Sequence, residues 1–206
     1  MTSLPSPPCP RRPAPVETGR GGVSLYGLSI EYGLHCLIWL ADGRVKRASS
    51  RDLAEMQGVS PAMLSKIMPR LEKAGIVTSV AGIAGGYALA CAAEDISVLD
   101  VVDAIEGGRR LFECREVRRG CTLFDGSPPI WSAAGVCGIH ALMLRAENRM
   151  RAELSATSLA DLARGIRRPP EFEELAATWF EDRTAARETV RITAVRRARR
   201  KPRPET

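Results

Sequence analysis

The chain has 206 residues, 45% of them hydrophobic, and a formal net charge of +6. That is enough for one domain with appendages, and no apolar run is long enough to span a bilayer. No uninterrupted apolar signal core opens the chain, which points to the cytoplasm. The positive charge is local. From Val190 to Thr206 there are seven basic residues (Arg191, Arg196, Arg197, Arg199, Arg200, Lys201, Arg203) against Glu205 alone, and the remainder is balanced.

Residues 1–22 are proline-rich and read as a disordered leader, with Cys9 a free surface thiol. Leu25 to Ala41 then reads as a strongly apolar helix that stops at Asp42-Gly43. Glu31 and His35 are its polar exceptions. Four residues apart, they share a face, and on spacing alone they are an ordinary helical pair. Cys36 reads as buried packing.

Ser49 with Asp52 can cap a second helix, ending near Gln57. After Gly58, Ser60 is a candidate N-cap, Pro61 suits the first helical position, and Val59 with Leu64 is spaced as a hydrophobic staple. Leu64, Ile67, Met68 and Leu71 recur at helical spacing before Gly75. Pro69 removes one hydrogen bond and predicts a kink. Ile76 to Val80 and Tyr87 to Leu89 are β-rich runs around a glycine-rich turn, Gly82 to Gly86. Helix, glycine turn, helix and glycine hairpin, in that order, describe a winged helix-turn-helix, whose second helix enters a DNA major groove.

Cys91, just past the hairpin, has no polar partner nearby and reads as structural. Ser97 and Asp100 form a capping-box pattern with Ile96 and Val101 as staple, and that helix closes at Gly107-Gly108. Phe112 to Val136, with Cys114, Cys121 and Pro128-Pro129, reads as a long loop, the kind that is functional or disordered. Cys137 opens a long helix over roughly Gly138 to Leu154. Its stripe of Ile139, Leu142, Met143, Ala146, Met150 and Leu154 suits a homodimer interface, or packing on its own domain. Ser158 caps a short helix, Leu159 to Leu162. Beyond Pro169-Pro170, Glu171 to Thr193 predicts an amphipathic helix around Phe172, Leu175, Trp179 and Phe180, followed by an unstructured basic run. That run suits sequence-independent phosphate binding and suits a solvated tail equally. The fold class is mostly α with a small β-hairpin wing. The expected divisions are 23–110 for DNA binding, 111–137 for the cysteine loop, 138–164 for dimerisation and 165–206 for a C-terminal extension.

Four segments, EYGLHCLIWLA, DLAEMQGVSPAMLSKIMPRLEKAGIVTSVAGIAGGYALA, EDISVLDVVDAIEG and SLADLA, resemble the IscR/NsrR-type winged-helix regulators, the Rrf family. The resemblance implies a homodimeric transcription factor. It also implies an iron–sulfur cluster held by cysteines of the loop between Phe112 and Cys137. The usual three closely spaced cysteines are absent: six residues separate Cys114 from Cys121, and fifteen separate Cys121 from Cys137. The chain is instead similar to a branch with E-x-x-x-H in the first helix and two separated loop cysteines. That similarity implies a [2Fe–2S] cluster held by Glu31 and His35 of one subunit and Cys114 and Cys137 of the other. It replaces the ordinary-pair reading of Glu31 and His35. The competing set is Cys114, Cys121, Cys137 and His140.

In a winged helix-turn-helix, Ser60, Ala62, Met63, Ser65 and Lys66 are expected at base edges of a double-stranded operator, with Arg70 and Lys73 at phosphates. Many family members carry a basic residue before the wing glycine; here it is Ala81. Two other readings stand beside cluster sensing. One is a cluster-free DNA-binding regulator with a thiol switch. The other, an enzyme or redox carrier, lacks a phosphate loop, a nucleophile elbow and paired catalytic carboxylates.

Overall fold

Ser49, Ser97 and Ser158 cap the starts of three helices with their side chains, and Gly58 and Gly107 close two of them in the left-handed region. The computed structural model describes residues 25–80 and 85–200. The first helix, α1 (Leu28–Ala41), stops at Asp42-Gly43, with Gly43 at φ 80°. It begins three residues later than its apolar run, and Leu25 is exposed. In α2 (Ser50–Gln57) the Asp52 N–H donates to the Ser49 hydroxyl at 3.1 Å, and Gly58 closes the helix in the left-handed region. Then α3 (Pro61–Lys73) begins at Ser60, whose backbone carbonyl, not its hydroxyl, accepts from the Met63 N–H at 3.0 Å. It is continuous through Pro69, which is exposed, so the missing N–H disturbs no packing.

The strands β1 (Val77–Val80) and β2 (Gly86–Leu89) pair antiparallel, Val77 opposite Leu89 and Val80 opposite Gly86. The tip of the expected wing, 81–84, lies outside the described residues. Ala48 bridges the outer edge of β2: it exchanges two backbone hydrogen bonds with Tyr87, at 2.8 and 3.0 Å. That contact requires Gly86, because a Cβ there would meet the Ala48 carbonyl oxygen at 2.7 Å and its carbon at 2.8 Å. Both atoms are backbone and cannot rotate away. Gly86→Ala is therefore expected to break the Ala48–Tyr87 bridge and destabilise the domain by about 1–3 kcal/mol. A denaturant midpoint equal to wild type would contradict this.

In α4 (Val98–Glu106) Ser97 and Asp100 complete the capping box, and Gly107 ends the helix at φ 75°. Between α4 and α5 (Gly138–Ala156) the cysteine loop folds into three 3-10 turns, Val117–Gly120, Thr122–Phe124 and Ile130–Ala133. Arg151 of α5 grips Asp103 of α4 with both terminal nitrogens, at 2.9 and 2.7 Å. The stripe on α5 splits. Met150 and Leu154 turn inward, while Ile139, Leu142, Met143 and Ala146 are exposed. A second capping box, Ser158 with Asp161, starts α6 (Leu159–Gly165). Helix α1 is the hub of the core, touching α2, α3, α4 and α6. Leu37, Leu53, Leu64, Met68, Leu71, Val101 and Leu159 are fully buried around it.

The last helix, α7 (Pro170–Arg200), is longer than its pattern suggests. The basic run expected to be unstructured continues the helix to Arg200. No proline or glycine interrupts 171–200, and the stretch is rich in the helix formers Ala and Arg. The first half of α7 lies across α1 and α2. Phe180 and Ala176 are buried, and the Trp39 ring meets Phe172 and Phe180 with centroids 6.2 and 6.1 Å apart. Arg168, just ahead of the helix, covers Trp39 with its guanidinium 3.9 Å from the ring centroid. Arg44 pairs with Glu173, Arg183 with Glu55, and Arg187 with the buried Asp52.

Candidate functional site

Two surfaces carry the candidate chemistry. The first is the outer face of α3. Its inner face, Leu64, Ile67, Met68 and Leu71, is buried, and this leaves Ser60, Ala62, Ser65, Lys66 and Lys73 exposed and Met63 half-buried. The Ser65 hydroxyl donates back to the Ala62 carbonyl at 2.9 Å. Arg70 is partly committed elsewhere. It donates from Nη1 to the Ile105 carbonyl at 2.7 Å and so caps the C-terminal end of α4. A backbone carbonyl one helix away, which spacing cannot reveal, competes there with the expected phosphate.

The second surface is divided. Glu31 and His35 are exposed on α1, at the rim of an apolar recess of 420 Å³ that Leu28, Leu34, Ile38 and Leu162 help line. Cys114 and Cys137 stand on the cysteine loop, both half-buried. Arg118 joins their two arms. It hydrogen-bonds Glu116 with two nitrogens, Nη2 to Oε2 at 2.8 Å, and the same Nη2 donates to the Gly135 carbonyl at 3.1 Å. Glu116 in turn donates its N–H to the Cys114 sulfur at 3.4 Å. Both thiols lie within the field of the Arg118 charge. The Cys137 thiol is shifted down, first by the His140 N–H, then by that of Ile139 at the start of α5, and by Arg118. Buried Cys36 is pushed up to about 12 by desolvation and is inert packing, as its sequence suggested. Cys91 is exposed, so it plays no part in the core.

Among the described residues no three His, Cys, Asp or Glu side chains gather at one point. Cys114 and Cys137 therefore do not join Glu31 and His35 at one point within one chain. Cys121 is exposed on a separate turn. His140 rests its ring on Phe112, centroids 6.0 Å apart, and its buried Nδ1 has no hydrogen-bond partner among the described residues. Arg118 is not itself a ligand type, so residue identity does not mark its role. Its signal in the sequence is the alternating charge of FECREVRRG around Cys114. Arg118→Ala should lower the effective concentration of one thiol at the other about tenfold, as expected from losing charge-assisted hydrogen bonds. The readout is the Cys114–Cys137 disulfide equilibrium against glutathione, with the other cysteines replaced by serine. An unchanged equilibrium would show that Arg118 does not hold the arms.

A tight helix pair, a two-stranded hairpin and an exposed second helix define a winged helix-turn-helix DNA-binding protein. The chain belongs to the Rrf2 family, whose model, described as an iron-dependent transcriptional regulator, matches residues 28–165. It is a DNA-binding transcriptional regulator and not an enzyme. Protein rrf2 of Nitratidesulfovibrio vulgaris is 37% identical over 134 residues, 65% of this chain and 83% of that one. The regulator NsrR of Bacillus subtilis is 30% identical over 135 residues, 65% and 86% of the two chains. The solved structure of T. potens IscR shares the fold at a TM-score of 0.52 and 23% identity, over 73% of this chain and 97% of that one. No helix among the described residues is long and apolar enough to cross a membrane. Helix α7 begins beyond the family-matched residues.

Proposed function

We propose that this regulator is a homodimer that senses redox or nitrosative state through a [2Fe–2S] cluster and alters its grip on a DNA operator accordingly. The observation that carries the reading is the division of donors. Each chain presents two cysteines strapped together by Arg118 and, elsewhere, a carboxylate and an imidazole one turn apart on α1. Neither half makes a complete site, and both suit iron: thiolates are the usual cluster ligands, and histidine ligation is known at such centres. Cys114 and Cys137 of one subunit would hold one side, and Glu31 and His35 of the other would hold the second. The exposed residues Ile139, Leu142 and Met143 on α5 supply an apolar face for subunit pairing.

The chain's own parts do the rest. The N–H groups at the start of α5 and the Arg118 guanidinium offset negative charge at the thiolates. Helix α1, which carries Glu31 and His35, packs directly on α2 and α3, so a change at the shared site moves the helix-turn-helix itself. When bound, the cluster supplies a one-electron redox state whose potential is raised by imidazole ligation.

The test is anaerobic purification, with iron, acid-labile sulfide and visible spectrum measured, and operator protection compared between oxidised and reduced protein. Iron with equimolar sulfide and redox-dependent protection is expected. A colourless protein with unchanged DNA protection would overturn the cluster. A colourless protein whose DNA protection still changes with redox state would favour the second reading, a Cys114–Cys137 thiol switch, which the Arg118 link between the two cysteine-bearing arms supports. If a cluster is present but insensitive to Glu31 and His35, the unpartnered His140 Nδ1 marks the alternative donor.

A further inference from the structure

Helix α7 is the part of the chain that the family relationship leaves unexplained, and its course is informative. Its ion pairs run backwards along α2: Arg183 meets Glu55, and Arg187, one turn on, meets Asp52 in the first turn of α2. The two helices are therefore antiparallel, and α7 passes the N-terminal end of α2. A shallow groove lined by Arg44, Lys46, Arg47, Thr184 and Glu188 marks the point of passage. Past Arg187 the helix has thirteen more residues, roughly 20 Å at 1.5 Å per residue.

That end of α2 adjoins the wing. Ala48 bridges Tyr87 on β2, and Gly86, against Ala48, pairs with Val80 at the last described rung before the wing tip. Lys46, Arg47 and Arg51 surround this point. All three are exposed, and none has an ion-pair partner among the described residues. The acids nearby are Glu188 and Glu181 on α7 in the groove and Asp52, which Arg187 occupies. Glu188 is the last acid on the helix. Between Thr189 and Arg200 the sequence holds five arginines and no acid.

We infer that α7 is a docked arm that carries a basic helix out beside the wing, forming with Lys46, Arg47 and Arg51 a surface for DNA phosphates outside the recognition helix's own contacts. Three observations carry it. The anchor is built: Trp39, Phe180, Asp52 and Glu55 hold the first half of α7 in a fixed direction. The direction leads to the wing side of the helix-turn-helix, where a second strip of backbone phosphates would lie. The charge changes sign along the helix, with acids confined to the docked part. The inference rests on DNA binding alone and is independent of any cluster.

The test measures binding to a random-sequence duplex over a range of salt concentrations, with helix content checked by circular dichroism. One variant carries Gln at Arg191, Arg196, Arg197, Arg199 and Arg200, a second carries Gln at Lys46, Arg47 and Arg51, and a third carries Lys at the five arginines. Each lost phosphate contact should reduce the slope of log affinity against log salt by about 0.9, so the first variant should flatten it by up to about 4.5 and the second by up to about 2.7. The lysine variant should keep the wild-type slope. Unchanged slopes in both glutamine variants, or an equal loss in the lysine variant, would overturn the inference. Loss of binding to anionic phosphatidylglycerol vesicles with an unchanged DNA slope would assign the surface to a membrane and also overturn it.

Discussion

Trp39→Ala is expected to lower stability by about 3–5 kcal/mol, the range for emptying a buried tryptophan site. Trp39 is 6% exposed on α1 and is shared by two packing layers. Inside, it belongs to the hub of the winged-helix core; outside, Phe172, Phe180 and Arg168 close over it. Removing the ring leaves a cavity and also frees α7, whose remaining grip on α2 is two ion pairs. One of these covers Asp52, and a buried carboxylate that loses its arginine costs more than the pair contributes. The loss should thus exceed that of Phe172→Ala, since Phe172 is 45% exposed. Denaturant unfolding gives the magnitude, and amide exchange along 170–190 reports release of the helix. A loss below about 1 kcal/mol, or unchanged exchange in α7, would contradict the packing described.

The second large effect falls on the cysteines. Cys114→Ser and Cys137→Ser are each expected to abolish bound iron and sulfide, while Cys121→Ser leaves them at the wild-type level. The distinction comes from geometry. Arg118 spans from Glu116 to Gly135, each two residues from one of the paired cysteines, whereas Cys121 is exposed on its own turn. Serine keeps the size but not the soft thiolate that iron–sulfur ligation needs. Loss of the cluster in Cys121→Ser, with retention in Cys114→Ser, would reverse the assignment. Iron and sulfide assays on anaerobically purified variants decide it.

The sequence was legible where structure is local. Ser49, Ser97 and Ser158 mark helix starts, Gly58, Gly75 and Gly107 mark stops, and the two strands of the hairpin flank the glycine-rich turn as the sequence indicates. Gly86 was legible as part of a glycine-rich turn, although its close approach to Ala48 was not. Contacts between distant segments left weaker traces. Nothing near Arg70 announces the Ile105 carbonyl, and nothing near Asp52 announces Arg187, 135 residues away. The extent of α7 was misjudged because a dense basic run was read as solvated tail, while the absence of any breaker before Pro202 allowed the helix to continue. At the candidate site, the spacing of Glu31 and His35 was visible, as was the separation of Cys114 from Cys137. The Arg118 link between Glu116 and Gly135 was not, because it depends on the path of a loop with no period.

A site shared between two chains can be divided in a mixed dimer. One subunit carries Glu31→Ala and His35→Ala, the other Cys114→Ser and Cys137→Ser, and distinct tags isolate the heterodimer. A shared site leaves one complete ligand set, with cysteines from the first subunit and Glu31 and His35 from the second. One [2Fe–2S] cluster per mixed dimer is expected, and none in either parent homodimer. A mixed dimer without iron, beside a wild-type dimer that holds it, would show that the site is not shared.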